Sequence, residues 1–367
     1  MSKRIRVGVI GLGMGHNHVK GFQAHPGCEV VALCDLNPQR LTEIGDKYGV
    51  AARYPDPAQL LERTDLDAVS IAVPNKFHHP LVLAACARGL HVLCEKPMAM
   101  NVAQAQEMKA AADAAGKVLM INFSFRFNNM SYALKQQVDA GVIGPVYFGR
   151  TVWHRRRGVP GLGGWFTDKE LAGGGPLIDL AVHRIDLALW LMGHPEPAGV
   201  SGATYNVLAR GQALHQKKAF TVEDLACGLV KFTNGATLIV EASWALNINE
   251  PEHMVTALYG EKGGIVQKNV GGAYDFAAEI YSEEGGNLYT KRLDSAVTPA
   301  PTSYEEFINA IREERPPLAT AEHGIKVQKI IDGLYASAAL GHEIVFHPPI
   351  PAPVPAAIPA SIRPFPI

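Results

Sequence analysis

Two opposite charges stand where a buried strand should simply stop. His91–Cys94 reads as a short apolar strand between Gly89 and Pro97, and Glu95 and Lys96 follow directly at its carboxyl end. Ligands of open parallel sheets bind beyond the carboxyl ends of the strands, so a lysine delivered there is placed to meet one. Pro97 keeps the strand from continuing. A second group lies in Gly173–Asp186, GGGPLIDLAVHRID. The glycines read as a flexible loop, and Pro176 suits the first turn of a helix running to Met192. Asp179, His183 and Asp186, spaced i, i+4 and i+7, share one face of that helix, whose other positions are mostly apolar. A polar stripe on a buried helix has to be paired. A structural Asp–His hydrogen bond would satisfy it; so would a site that moves protons, because imidazole changes charge near neutral pH.

The elements that must position these groups begin at once. Ile5–Ile10 is a β-rich run, followed by Gly11-Leu12-Gly13-Met14-Gly15-His16 and a helix through Phe22. Strand, glycine turn and helix together suggest a dinucleotide site. Gly11 permits the tight turn, Gly13 lets backbone approach a pyrophosphate, and the helix N-terminus, from Met14 and Gly15, offers N–H groups to phosphate. The third fingerprint position is His16, so either Gly15 fills that role in a shorter turn or strand and helix pack less closely. Val30–Cys34 then leads into Asp35, about 20 residues beyond the turn, where an acid bonds ribose hydroxyls and repels a 2′-phosphate. That favours NAD, while nearby Arg40 leaves NADP open. Ala68–Val73, exiting through Pro74-Asn75-Lys76-Phe77-His78, then Leu90–Cys94 and Val118–Asn122 continue the alternation of strands with helices. The fold class is α/β: an N-terminal doubly wound parallel sheet over residues 1–123.

Past Phe123 the texture changes. A helix at Ser131–Ala140 precedes β-like runs at Val146–His154, Val200–Leu208, Leu225–Phe232, Ala236–Leu246 and His253–Tyr259. These imply a C-terminal α+β domain, residues 124–347, with a large, mostly antiparallel open sheet. Strand residues such as Val240, Trp244 and Leu246 would leave an apolar exposed face, which predicts a homodimer or homotetramer. Residues 348–367, PPIPAPVPAAIPASIRPFPI, form a proline-rich extended tail, either disordered or an arm over a neighbouring subunit.

The VGVIGLG start, the acid-ended second strand, the PNKFHH loop and HVLCEKPMAMN resemble the Gfo/Idh/MocA oxidoreductases, in order from Arg4 to about Gly341. The GGG-x-x-x-D-x-x-x-H run from Gly173 to His183 matches that family's motif residue for residue. The resemblance implies hydride transfer between NAD and a secondary hydroxyl of a sugar, glycoside or cyclic polyol. It implies that Lys96 stabilises the substrate oxygen, that His183 is the general base, and that Asp179 orients the substrate or His183. It places Pro74, Asn75, His78 and Glu95 beside the nicotinamide ribose. Asn122 and Arg126, just beyond the last strand of the cofactor domain, Arg156 in an arginine run, and Trp165 are further candidates for the substrate side. Some relatives are glycosidases that use NAD for transient oxidation and elimination, and a non-catalytic NAD-binding regulator is a third possibility.

Composition narrows the rest. A net charge of −1 over 367 residues shows no electrostatic footprint for nucleic acid or an anionic membrane. No apolar run approaches the roughly 20 residues of a membrane span, and a first strand starting at Ile5 is expected to leave no room for a secretory leader. The expectation is a cytoplasmic enzyme. Five cysteines without C-x-x-C spacing, and fourteen histidines without a ligand cluster, predict no metal site.

Overall fold

The computed structural model describes residues 3–294 and 299–346. β1 (Ile5–Ile10), β2 (Cys28–Cys34), β3 (Arg53–Tyr54), β4 (Ala68–Ile71), β5 (His91–Cys94) and β6 (Leu119–Ile121) form one sheet, ordered β3-β2-β1-β4-β5-β6. Every neighbouring pair is parallel. Helices cover both faces, so the strands carry continuous apolar runs: Val7, Val9, Val69, Ile71, Val92 and Leu93 are fully buried. The chain winds outward from β1 through β3, then crosses back to β4. At that reversal the loops leaving β1 and β4 part and open a crevice. The helix Val102–Ala115 has the ends its sequence predicts, with the Asn101 side chain capping Gln104 N–H and left-handed Gly116 closing it.

β7 (Val146–Arg155), β8 (Pro197–Tyr205), β9 (Leu225–Phe232), β10 (Thr237–Ser243), β11 (Glu252–Gly260), β12 (Gly263–Asn269), β13 (Phe276–Glu284), β14 (Asn287–Leu293) and β15 (Ile344–Val345) form the second sheet. Its order is β14-β13-β12-β11-β7-β10-β9-β8-β15. Only β7 and β10 pair in parallel, as expected for a mostly antiparallel sheet. The strand anticipated to run to Leu208 stops at Tyr205. There the Asp224 carboxylate accepts the Val207 and Ala209 N–H groups and starts the helix Leu208–His215.

The helices Val182–Leu191 and Ala321–Leu340 pack on one face of this sheet, against β7 and β8 respectively. Strand alternation decides what remains on the other face. Leu238, Val240 and Ala242 point under the helices, with Trp244 buried just beyond them, while Ile239 and Glu241 point away. Val240 and Trp244 are therefore not on the exposed face where the sequence reading put them. The last helices also return to the first sheet. Tyr304 meets His18 and Phe22 edge-on at 5.3 and 5.2 Å, and Ile121 N–H donates to Ala319 O at 3.0 Å. The proline-rich tail lies outside the described residues. Among those residues no helix is long and apolar enough to cross a membrane.

Candidate active site

The glycine turn is built for a ligand rather than for a side chain. Gly11 has φ +84, and a Cβ there would come within 2.4 Å of Ala72 O. A Cβ on Gly13 would meet only Arg40 Nη1, at 3.9 Å, so the turn has open space beside it. The helix Gly15–Gln23 starts behind exposed Met14. Gly15 lies where a Cβ would press to 3.2 Å from Val9 Cγ1, so it is the third glycine of the fingerprint and His16 falls outside it. Asp35 is buried beside this turn. It accepts Leu12 N–H at 2.7 Å and Asn37 N–H at 2.8 Å, with Arg40 Nη1 3.3 Å away. The helix cap is Asn37 rather than Asp35. An open backbone cradle, a helix N-terminus and a fixed carboxylate fit a dinucleotide.

At the carboxyl ends of β4 and β5 the expected residues divide. Pro74 and Asn75 form the exit turn, where buried Asn75 donates to Ala172 O at 2.8 Å and ties the two sheets' loops together. Glu95 accepts from Asn122 Nδ2 at 2.6 Å and pairs with His18 Nε2 at 2.9 Å. Burial works against its charge, but those two partners and Lys96 hold its carboxyl below the usual range. Asn122 thus gives its amide N–H to Glu95, while its Oδ1 is buried with no partner among the described residues. Two expectations are corrected. His78 is fully buried between Pro97 O and Val73 O, at 2.7 and 2.9 Å, so it braces the two exit loops and has no surface for a cofactor. Arg126 is fully buried as well, and it grips Asp186 through Nε at 2.9 Å and Nη2 at 2.5 Å. That ion pair removes Arg126 from the substrate side and Asp186 from the polar stripe.

Lys96 and Asp179 meet across the crevice. The Nζ lies 2.9 Å from Asp179 Oδ1 and 2.9 Å from Asp179 O, while the other carboxylate oxygen accepts Trp244 Nε1 at 3.0 Å. Asp179 is therefore held by Lys96 and Trp244, and it does not bond His183. His183 instead packs edge-on against Phe125 at 5.1 Å and tilted against Trp153 at 5.6 Å, with its Nδ1 buried. Burial, reinforced by Lys96, Arg184 and Arg155, drives its pKa well below the usual imidazole value, which keeps the ring uncharged.

The segment carrying both residues is stiffer than its glycines suggest. A Cβ on Gly174 would fall 2.0 Å from Tyr335 Oη, and one on Gly175 2.1 Å from Glu223 O. Glu223 accepts Gly175 N–H, Leu177 N–H and the Tyr335 hydroxyl at 2.9, 3.1 and 2.8 Å. The expected flexible loop is a clamped one, because the glycines serve close approach. Leu177–Ala181 then forms a π-helical turn before the α-helix Val182–Leu191, a local widening common at functional sites.

Alternation along β7 also shifts the arginine run by one residue. Arg155 shares a face with Trp153 and reaches Glu252 and the Tyr274 hydroxyl at 2.7 and 3.0 Å. Arg156 is exposed, and its guanidinium donates to Asn249 O at 3.4 Å. Trp165 stacks on its neighbour Phe166 at 3.8 Å. Among the described residues no cluster suits a metal ion. His18 and Glu223 carried no signal in the sequence, Trp244 read as a strand residue of core or interface, and Arg155 lay in the arginine run, where the alternation of β7 separates it from Arg156.

Residues 5–123 match the GFO/IDH/MocA oxidoreductase family, NAD-binding Rossmann fold, and residues 131–266 match the GFO/IDH/MocA C-terminal domain. The chain is similar to the D-glucoside 3-dehydrogenase of Escherichia coli, with 36% identity covering 94% of this chain and 98% of that protein. It is also similar to the myo-inositol 2-dehydrogenase of Thermotoga maritima, with 28% identity covering 87% and 92%. A solved aldose-aldose oxidoreductase from Caulobacter crescentus, complexed with glycerol, superposes with a TM-score of 0.80 at 25% identity, covering 94% of this chain and all of that one.

Proposed function

The chain belongs to the GFO/IDH/MocA oxidoreductase family, and from that premise we propose that it is an NAD-dependent dehydrogenase acting on a secondary ring hydroxyl of a sugar or glycoside. The observation that carries this reading is the Lys96–Asp179 contact across the crevice, 2.9 Å long, with uncharged His183 four residues further along the same segment. Bound NAD supplies the acceptor for the hydride that leaves the carbinol carbon.

The chain's own residues do the rest. An ammonium has three N–H groups. Two of Lys96's are fixed on Asp179 O and Oδ1, which leaves the third for the substrate oxygen. There it stabilises the alkoxide charge that grows as the hydride departs. His183, uncharged, accepts the hydroxyl proton. Asp179 keeps Lys96 aimed, and Trp244 keeps Asp179 aimed. Asp35 receives the adenosine ribose hydroxyls and favours NAD over NADP. Residues 1–123 would serve the cofactor and residues 124–347 the substrate and assembly. A homo-oligomer through the uncovered sheet face suits half-buried Phe148, Leu229, Ile239 and Val255 there. Light scattering that gave a monomer mass at every concentration would contradict that assembly.

Incubation with methyl glucosides, free glucose and inositols in excess NAD tests the reading. The expected result is NADH in step with keto-sugar. Release of aglycone without NADH would instead mark a glycosidase that oxidises transiently. NAD binding with neither product would mark a regulator.

A further inference from the structure

Arg184 follows His183 in sequence, and its guanidinium is fully buried. Nη1 donates to Gln267 Oε1 at 2.8 Å, whereas Nε and Nη2 are buried with no partner among the described residues. The charge rests on aromatic faces instead: the Phe125, Phe276 and Trp153 ring centres lie 4.6, 5.3 and 5.6 Å from its central carbon. Two of those rings, Phe125 and Trp153, are the ones packed against His183. Guanidinium and imidazole therefore share one aromatic box.

The other two cations that act on the imidazole each have a carboxylate partner of their own. Lys96, just past the end of β5, is tied to Asp179, and Arg155, from β7, is tied to Glu252 of β11. The Tyr274 phenol, packed edge-on against Trp153 at 6.0 Å, bonds Arg155 and Glu252. Among the described residues Arg184 has no carboxylate in salt-bridge contact, and Glu252 and the Tyr274 phenol act on it only from a distance. Burial lowers its pKa to about 9, which leaves it a cation at neutral pH. A buried charge with no carboxylate in contact lowers stability, and such departures from good packing cluster where function demands them.

We infer that Arg184 is a positioning residue, a cation set behind His183 so that the imidazole stays uncharged until it takes the substrate's proton. A charged His183 would place a second cation in the same aromatic box. This rests on the reading of His183 as the base. It adds a direction: the oxidising reaction keeps its base well into acid solution, while the reducing reaction, which needs the imidazolium, fades as pH rises.

The test compares the full-length protein with Arg184→Gln and Gln267→Glu. The first removes the charge. The second keeps the guanidinium and its packing but sets a carboxylate on Nη1, so it decides the matter even if the first variant does not fold. Histidine ring-carbon NMR, with the His183 signal assigned through His183→Asn, reads protonation without reference to activity. In the unmodified protein the ring stays uncharged at pH 6, and in both variants its midpoint rises by about one pH unit or more. The acid limb of kcat for sugar oxidation moves up by the same amount. A His183 midpoint identical in the unmodified protein and Gln267→Glu overturns the inference. A midpoint that moves while the kcat profile does not would uphold Arg184's effect and refute His183 as the base.

Discussion

Trp244→Phe removes a single donor from the site and asks whether Asp179 must be held to work. The indole N–H donates to Asp179 Oδ2 at 3.0 Å, and the side chain is fully buried. A hydrogen bond to a charged group contributes about 1.5–3 kcal/mol. Trimming an indole to a phenyl ring in a packed core removes about 1 kcal/mol more. Stability is therefore expected to fall by about 2.5–4 kcal/mol in urea unfolding. The kinetic effect follows from the lost anchor. With one oxygen released, the Asp179 carboxylate can turn, and the Lys96 Nζ it holds at 2.9 Å turns with it. A displacement of about 1 Å can lower a rate by about 100-fold, so kcat is expected to drop by about 10–100-fold. NAD affinity should hold, because Trp244 touches nothing in the glycine turn. If stability falls as expected while kcat is unchanged, Trp244 is only packing and Asp179 needs no second anchor.

Lys96→Met is expected to lower kcat by about 100–1,000-fold at every pH, since it removes charge stabilisation rather than a titrating group; a pH–rate profile reads this. Asp35→Ala should narrow the preference for NAD over NADP, measured by fluorescence titration of both cofactors. Gly11→Ala should abolish NAD binding, because a Cβ would sit 2.4 Å from Ala72 O at φ +84. Acid should destabilise the protein through its buried imidazoles. Burial lowers His194 to about 2 and His323 to about 3, from 6.5 in the unfolded chain, so their contribution is full above pH 6.5 and is lost as pH falls below it. At pH 5 each should cost on the order of 2 kcal/mol, visible as a falling Tm, and substituting both by Gln should flatten that slope.

Local signals carried the first sheet. Its strands are short apolar runs closed by turn and cap residues, and Asn101 and Gly116 bound their helix at the positions they suggest. The glycine turn, Asp35, Lys96, Asp179 and His183 were legible because each depends on an element end or a helical spacing. What was not legible depends on the fold bringing distant segments together. Nothing near Arg126 in sequence reveals that Asp186 will neutralise it, and nothing near His78 announces two backbone carbonyls. Trp244 reads as an ordinary strand residue until Asp179, 65 residues away, arrives beside it. The GGG run misled for a related reason: the same glycines serve a mobile loop or a crowded one, and only Glu223 and Tyr335 decide between them.

The most direct test of the account is a single-turnover reaction of the enzyme and NAD with a methyl glucoside deuterated at every ring carbon, followed by NADH formation. Hydride transfer with His183 as the base requires NADH to form and to form several-fold more slowly than with the protiated sugar, with His183→Asn slower by about 100–10,000-fold and NAD binding intact. Turnover of the sugar with no NADH formed, or His183→Asn as fast as the unmodified enzyme, would contradict it.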